Sequence, residues 1–228
     1  MRISEVFPSI QGEGILSGVP SLFIRVSGCN LRCVWCDTPY TSWEPEGEDW
    51  PLSRILEWLN SQPAYRHAVL TGGEPMLFAE LEPLTCAIRE LGLHITIETA
   101  GTVLRNVACD LMSISPKLSN STPWRRASAE WADRHERLRI QPGVLAALTR
   151  GYDYQLKFVV SSPDDLPEIE QLTGQLGARA DRILLMPEGV DPAALNDRAQ
   201  WLVEECKQRG WRFCPRLHVM LYGNRRGV

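Results

Sequence analysis

The sequence predicts an α/β fold, an incomplete and open parallel β/α barrel of about six strands. Three observations carry that expectation. Short apolar runs, often β-branched, recur at residues 21–26, 67–71, 94–98, 110–115, 154–160 and 182–186, and each reads as a strand buried on both faces. Amphipathic patterns lie between them. Leu52, Ile55, Leu56 and Leu59 fall at i, i+3, i+4 and i+7, and Leu77, Leu81, Leu84, Ile88 and Leu91 step by four and three. Asp191 with Pro192 caps a third helix that Gly210 ends. This alternation implies parallel strands joined by crossover helices. A chain of 228 residues with six strands falls short of a closed eightfold barrel of about 250 residues. Function in such folds gathers at the C-terminal ends of the strands.

No repeat, low-complexity tract or long linker divides the chain, so residues 1–228 are expected to form one domain. The composition, 44% hydrophobic and 23% charged, excludes wholesale disorder. No apolar run approaches the roughly 18 residues of a membrane span. Met1-Arg2-Ile3-Ser4-Glu5-Val6 offers no apolar signal core, and a cytoplasmic location is expected. With 24 basic against 28 acidic residues, net −4, a phosphate-tracking surface is not expected, so neither nucleic acid nor membrane is a partner. The seven cysteines are an odd number, which argues against a disulfide framework.

Three of those cysteines crowd into Cys29-Asn30-Leu31-Arg32-Cys33-Val34-Trp35-Cys36, directly after the first apolar run. The spacing is C-x3-C-x2-C. Soft thiolates select zinc, copper(I) or an iron–sulfur cluster. A structural zinc needs four closed ligands, and no fourth cysteine or histidine stands nearby. A four-iron cluster on three cysteines leaves one iron open to a ligand, whereas an electron-transfer cluster normally has four. Trp35, between two ligands, reads either as a shield for the cluster or as plain core.

This C-x3-C-x2-C run resembles the signature of the radical S-adenosylmethionine (SAM) superfamily. The resemblance implies a [4Fe-4S] cluster on Cys29, Cys33 and Cys36, with SAM chelated at the open iron and cleaved to a 5′-deoxyadenosyl radical. The cofactor then does the radical chemistry and the protein binds and orients. No side chain is expected to be catalytic in its own right.

Three other runs end apolar strands. Thr71-Gly72-Gly73-Glu74-Pro75 is similar to the superfamily's GGEP motif, Glu98-Thr99-Ala100-Gly101-Thr102 to an ETxGT segment near SAM, and Ser115-Pro116-Lys117 places one of only three lysines at the active rim. Lys157 sits mid-strand, where a buried ammonium needs a carboxylate or a ligand anion.

A narrower family emerges from Phe7-Pro8-Ser9-Ile10-Gln11-Gly12-Glu13-Gly14, Phe23-Ile24-Arg25, Cys36-Asp37-Thr38, Arg216-Leu217-His218 and Tyr222-Gly223-Asn224-Arg225-Arg226-Gly227-Val228. Together they resemble the 7-carboxy-7-deazaguanine synthases. The match runs from residue 5 onward and is weakest between 119 and 153. It implies a Mg2+-assisted lyase reaction of queuosine and 7-deazapurine biosynthesis. In it, 6-carboxy-5,6,7,8-tetrahydropterin loses hydrogen at C6, contracts its ring and releases ammonia, and SAM is returned. Carried over, Ile10, Gln11, Gly12 and Glu13 read the pterin edge. Arg25 meets the substrate carboxylate, a natural bidentate pair, and Thr71 and His218 also touch substrate. Gly73, Glu98, Ser115, Pro116 and Lys117 map to SAM. Thr38 maps to Mg2+, although magnesium chemistry alone would favour Asp37. A flavodoxin-like or other reductant and a homodimer are expected on the same basis.

Two stretches match no motif. Residues 43–50 read as a solvated loop, with a reductase-docking surface as the alternative. Residues 124–139 read as a helix over the barrel mouth or a subunit contact. Two rivals remain: a glycyl-radical activase, which leaves the Gln11–Glu13, Arg25 and His218 set without a purpose, and a non-catalytic zinc or electron-transfer protein.

Overall fold

Chain order begins with three strands, β1 (Arg2–Ile10), β2 (Pro20–Val26) and β3 (Glu48–Asp49). Strands and helices then alternate through α1 (Leu52–Asn60), β4 (His67–Gly72), α2 (Leu81–Glu90), β5 (His94–Thr99) and β6 (Leu111–Ile114). Two helices, α3 (Ala129–Leu138) and α4 (Pro142–Gly151), precede β7 (Tyr154–Val160), α5 (Leu166–Leu176) and β8 (Ile183–Pro187). The chain closes with α6 (Pro192–Arg209), β9 (Arg212–Phe213) and α7 (Leu217–Tyr222). The computed structural model describes residues 1–228. No helix is long and apolar enough to cross a membrane.

The nine strands form one sheet in the order β3-β1-β2-β4-β5-β6-β7-β8-β9. From β2 to β9 every pairing is parallel, while β1 runs antiparallel to β2 and β3. The two ends do not pair, so the barrel is open and incomplete. All six expected strands are present within a residue or two of their anticipated bounds. The additions are β1, whose half-polar sequence hides its alternation, and β3 and β9, two residues each. The Leu77 helix starts later than its leucine spacing suggests, because Pro75 opens a short 3-10 turn through Leu77 and α2 begins at Leu81. The α6 caps are as anticipated, with the Asp191 carboxylate accepting from Ala194 N and Gly210 in the left-handed conformation.

The two faces of the sheet differ, and that difference makes the site. Leu22, Ile24 and Val26 of β2, Ala68 and Leu70 of β4, Ile95 and Ile97 of β5 and Leu156, Phe158 and Val160 of β7 belong to one core with Ile55, Leu84, Ile88, Leu148, Ile169 and Leu202 of the helices. The alternate residues, Arg25, Thr71, Glu98, Ser113, Gln155 and Lys157, lie on the opposite face by the two-residue period of a strand. Several apolar runs thus carry a polar inner row rather than being apolar on both faces.

One inner-face group far from that row titrates in a useful range. The Ser21 hydroxyl donates to Val19 O at 2.8 Å, so its oxygen accepts from His67 Nδ1–H at 2.6 Å, and Nε2 takes the Thr96 hydroxyl at 2.8 Å. Burial first, and the neighbouring His94 second, hold His67 down at about 4, from an ordinary 6.5. The folded state keeps this ring neutral while the unfolded chain takes up a proton below 6.5. Stability is therefore complete above that pH and falls as pH drops towards 4, by up to about 1.4 kcal/mol per pH unit for this residue. Thermal melts between pH 6.5 and 4.5 should show a shallower decline in His67→Gln than in the parent; equal slopes would refute the assignment.

Candidate active site

At the C-terminal rim of the strands the inner face opens into a cavity of about 470 Å3. Every site residue anticipated above lines it except Pro116, which is buried. Ile10 ends β1, and Gln11, Gly12 and Glu13 enter from the β1–β2 connection. Arg25, Thr71 and Glu98 project from β2, β4 and β5, Ser115 and Lys117 follow β6, and His218 comes from α7.

Glu13 is the hub. It pairs with Lys157 and with Arg216, whose Nε donates to Glu13 Oε1 at 3.0 Å. Burial alone would raise the Glu13 carboxyl, but the Lys157 ammonium and the Arg216 guanidinium hold it well below the usual carboxylate range. Lys157 therefore finds the carboxylate partner that its mid-strand position demands, and the pairing lifts its pKa against burial. Arg216 also grips Asp37 and donates to Gly189 O.

A second group fixes the polar edge. Gln11 Nε2 donates to Glu98 Oε1 at 3.1 Å, its Oε1 accepts from Glu13 N at 3.2 Å, and the Thr71 hydroxyl donates to Glu98 Oε2 at 2.7 Å. Glu98, expected beside SAM, is bonded to two residues expected to touch substrate. Arg25 donates through Nε to Glu5 Oε1 at 2.7 Å, and Tyr40 donates to the same oxygen at 3.0 Å. Arg25 lines the cavity, and its terminal nitrogens make no hydrogen bond of their own.

Glycines set two close approaches. A Cβ on Gly12 would lie 2.0 Å from His218 Nδ1 and 2.9 Å from His218 Cβ, so α7 packs directly on the turn that carries Glu13. A Cβ on Gly73 would lie 2.1 Å from Gly28 O, where the β4 turn meets the start of the cysteine loop. Glu74 turns away from the cavity and accepts from Thr99 Oγ1, Ala100 N and Met76 N, a structural clasp between two turns. Gly12→Ala should therefore displace His218 and lower kcat/KM on the order of 100-fold, with cluster content unchanged; full activity would show that His218 does not matter.

Cys29, Cys33 and Cys36 line the same wall. Burial pushes the Cys29 thiol up to about 12 and Cys33 higher still, so these are inert thiols unless a metal draws them to thiolate. No three of the His, Cys, Asp and Glu side chains meet closely enough to hold one metal ion. Three soft donors on one wall, not converged on a point, with open space beyond, fit a cluster with one free iron better than a closed zinc site. For Mg2+, Asp37 is committed to Arg216, which favours Thr38, a cavity-lining hydroxyl. Lys117 Nζ donates to Ser115 O at 2.6 Å and Ser115 Oγ at 2.8 Å, and lies 6.0 Å from the Trp35 ring centroid.

Sequence reasoning did not single out Glu5, Tyr40 or Arg216 as site residues. Arg216 stands two residues before His218 in a motif already marked, and Tyr40 follows the cysteine loop closely, so both signals were at hand. The unplaced stretches also gain roles. Residues 43–50 contain the edge strand β3, and the Trp43 indole donates to Cys33 O at 3.0 Å. Residues 124–139 contain α3, which packs on the cysteine loop, as the bond from Arg32 N to His135 Nδ1 at 3.0 Å shows.

A radical SAM superfamily model matches residues 23–121. The 7-carboxy-7-deazaguanine synthase of Halobacterium salinarum is 44% identical across 98% of this chain and 91% of its own length. That of Rhodopirellula baltica is 44% identical across 100% and 89%. The crystal structure of QueE from Escherichia coli superposes with a TM-score of 0.67 at 27% identity, covering 95% of this chain and 94% of that one. The residues of the cavity and these full-length likenesses agree: the chain belongs to the 7-carboxy-7-deazaguanine synthase family, radical SAM enzymes that work with a [4Fe-4S] cluster, SAM and Mg2+.

Proposed function

We propose that this enzyme is a carbon–nitrogen lyase that converts 6-carboxy-5,6,7,8-tetrahydropterin to 7-carboxy-7-deazaguanine with release of ammonia. The observation that carries it is the convergence of Glu13, Arg25, Thr71 and His218 with the three cysteines on one cavity. Cys29, Cys33 and Cys36 would hold the cluster and Gly73, Ser115 and Lys117 would hold SAM, which together would supply radical chemistry at the substrate's C6.

The chain's own residues bind and orient. Glu13, kept ionised by Lys157 and Arg216, offers acceptor oxygens to the N–H donors of an aminopyrimidinone. Gln11, braced by Glu98, adds an amide to that edge. Arg25 holds the substrate carboxylate through the nitrogens that Glu5 leaves free, a charge-assisted fork. Thr38 would offer its hydroxyl to Mg2+, an oxygen donor of the hard kind that ion takes. Lys117 sets a cation opposite the carboxylate of SAM. The fold is read as one domain over residues 1–228, and a flavodoxin-like or other one-electron donor serves the cluster. A homodimer is expected and is checked by sedimentation.

Anaerobic protein reconstituted with iron and sulfide, then given dithionite, SAM and the pterin, tests the reading by mass spectrometry. A product lighter than substrate by one ammonia, forming faster with Mg2+, is expected. SAM cleavage with the pterin untouched would overturn the substrate.

A further inference from the structure

The cysteine loop is held from outside by a stretch of chain for which neither substrate nor SAM gives a reason. Between Cys29 and Cys36 the backbone is irregular: Leu31 N–H and Cys36 N–H bond within the loop, to Cys29 Sγ and Cys33 O, while two other backbone donors and one side chain reach residues 118–135. Arg32 N–H donates to His135 Nδ1 at 3.0 Å, Val34 N–H to Ser121 O at 2.8 Å, and the Trp35 indole to Asn120 Oδ1 at 3.2 Å. From the same stretch Arg126 donates to Val34 O at 2.7 Å, and Trp131 stacks on Arg32, 4.3 Å from guanidinium carbon to ring centroid.

His135 differs from the other partners. It is a side-chain acceptor with no solvent exposure, mounted on α3, and its tautomer is fixed from behind. The Ser121 hydroxyl donates to Leu118 O at 2.6 Å, so its oxygen accepts from His135 Nε2–H at 2.9 Å. Nδ1 is thereby left bare, aimed at the Arg32 N–H. Such a buried relay, satisfied at every atom, specifies one geometry.

We propose that His135 is a positioning residue for the iron–sulfur cluster: by accepting the Arg32 N–H, with Ser121 fixing its tautomer, it sets the backbone between Cys29 and Cys33 so that both thiols face the cavity. This is the logic by which partners behind a metal ligand orient it, moved here from the ligand side chain to the ligand loop. Without the acceptor, the Arg32 N–H is left unpaired unless the loop shifts, and the adjoining Leu31 N–H already lies 3.4 Å from Cys29 Sγ; hydrogen bonds to sulfur tune an iron–sulfur centre's potential. The proposal rests on Cys29, Cys33 and Cys36 being the cluster ligands.

The test compares reconstituted parent protein with His135→Phe, His135→Asn and Ser121→Ala. Iron release to a chelator and the electron paramagnetic resonance spectrum of the dithionite-reduced cluster are recorded without SAM, and melts of each protein check folding. His135→Phe should lose iron about 10–100-fold faster with an altered spectrum. Ser121→Ala should do so to a smaller degree. His135→Asn, which keeps an acceptor near the Nδ1 position, should restore most of the retention and the parent line shape. A folded His135→Phe that holds iron as slowly as the parent, with the same spectrum, overturns the proposal. If His135→Phe gives no cooperative melt, Ser121→Ala decides: a parent-like release rate and spectrum overturn it, and faster release with an altered spectrum from a folded protein supports it. Parent protein that binds no iron would instead overturn the ligand assignment on which the proposal rests.

Discussion

Cys33→Ala is expected to abolish iron binding and turnover together. Cys33 is buried in the cavity wall with Leu31 and Ala100, and it is the middle donor of three. Two thiolates cannot hold a cube that needs three protein corners, and no fourth cysteine lines the cavity to take the place of Cys33. The control is Cys206→Ala. Cys206 is also buried, at 3% exposure, but sits on α6 within the apolar core. Its loss should cost on the order of 1 kcal/mol of packing and leave iron content intact. Iron per chain and the visible absorption of the cluster separate the two variants. Equal iron loss in both would mean that the ligands are misassigned.

Arg216→Ala should be the most damaging substitution among the charged residues. One guanidinium, 6% exposed, serves Glu13, Asp37 and the Gly189 carbonyl. Its removal leaves Asp37 without its partner and Glu13 with Lys157 alone. Deleting one member of a fully buried pair costs roughly 3–5 kcal/mol, which is an upper figure here because Glu13 keeps Lys157 and Asp37 is 39% exposed. At about 2–4 °C per kcal/mol for a chain of this size, the melting temperature should fall by several degrees, up to about 10 °C. The pH dependence has a definite sign. Glu13 is depressed in the fold, so its contribution is present above its ordinary 4.5 and is lost only as pH falls through the lower folded value. In the variant that loss should begin at higher pH. A variant melting with the parent at neutral pH would show that the network does not carry stability.

Much of this was legible because the chemistry sits where the strands end. The six apolar runs marked the parallel core, and the cysteine spacing, the paired glycines and Lys117 all fell on one rim. What resisted reading has physical causes. β1 carries Arg2, Ser4, Glu5 and Ser9 because its antiparallel edge is partly exposed, which blurs the alternation. The two-residue strands β3 and β9 are set by their neighbours and have no pattern of their own. Glu5 meets Arg25, 20 residues away in sequence, only through the β1–β2 pairing, and Tyr40 reaches Glu5 from the turn after the cysteine loop, 35 residues away. α3 has an obvious N-cap in Ser128, but its target, the Arg32 N–H, lies 103 residues away, and no local signal announces a partner that distant.

The ion pair between Glu13 and Arg216 spans 203 residues, and this has a consequence for how the molecule is made. Contacts of such long sequence separation are slow to form, because a large loop must close before they return any energy. On the ribosome the β2–β8 core can collapse on its neighbours while Glu13 and Lys157 still lack their third partner. The pterin-reading hub stays electrostatically unfinished until residue 216 has cleared the exit tunnel. A nascent chain stalled short of that point should already be protease-resistant in its core yet leave the segment after β1 open to cleavage.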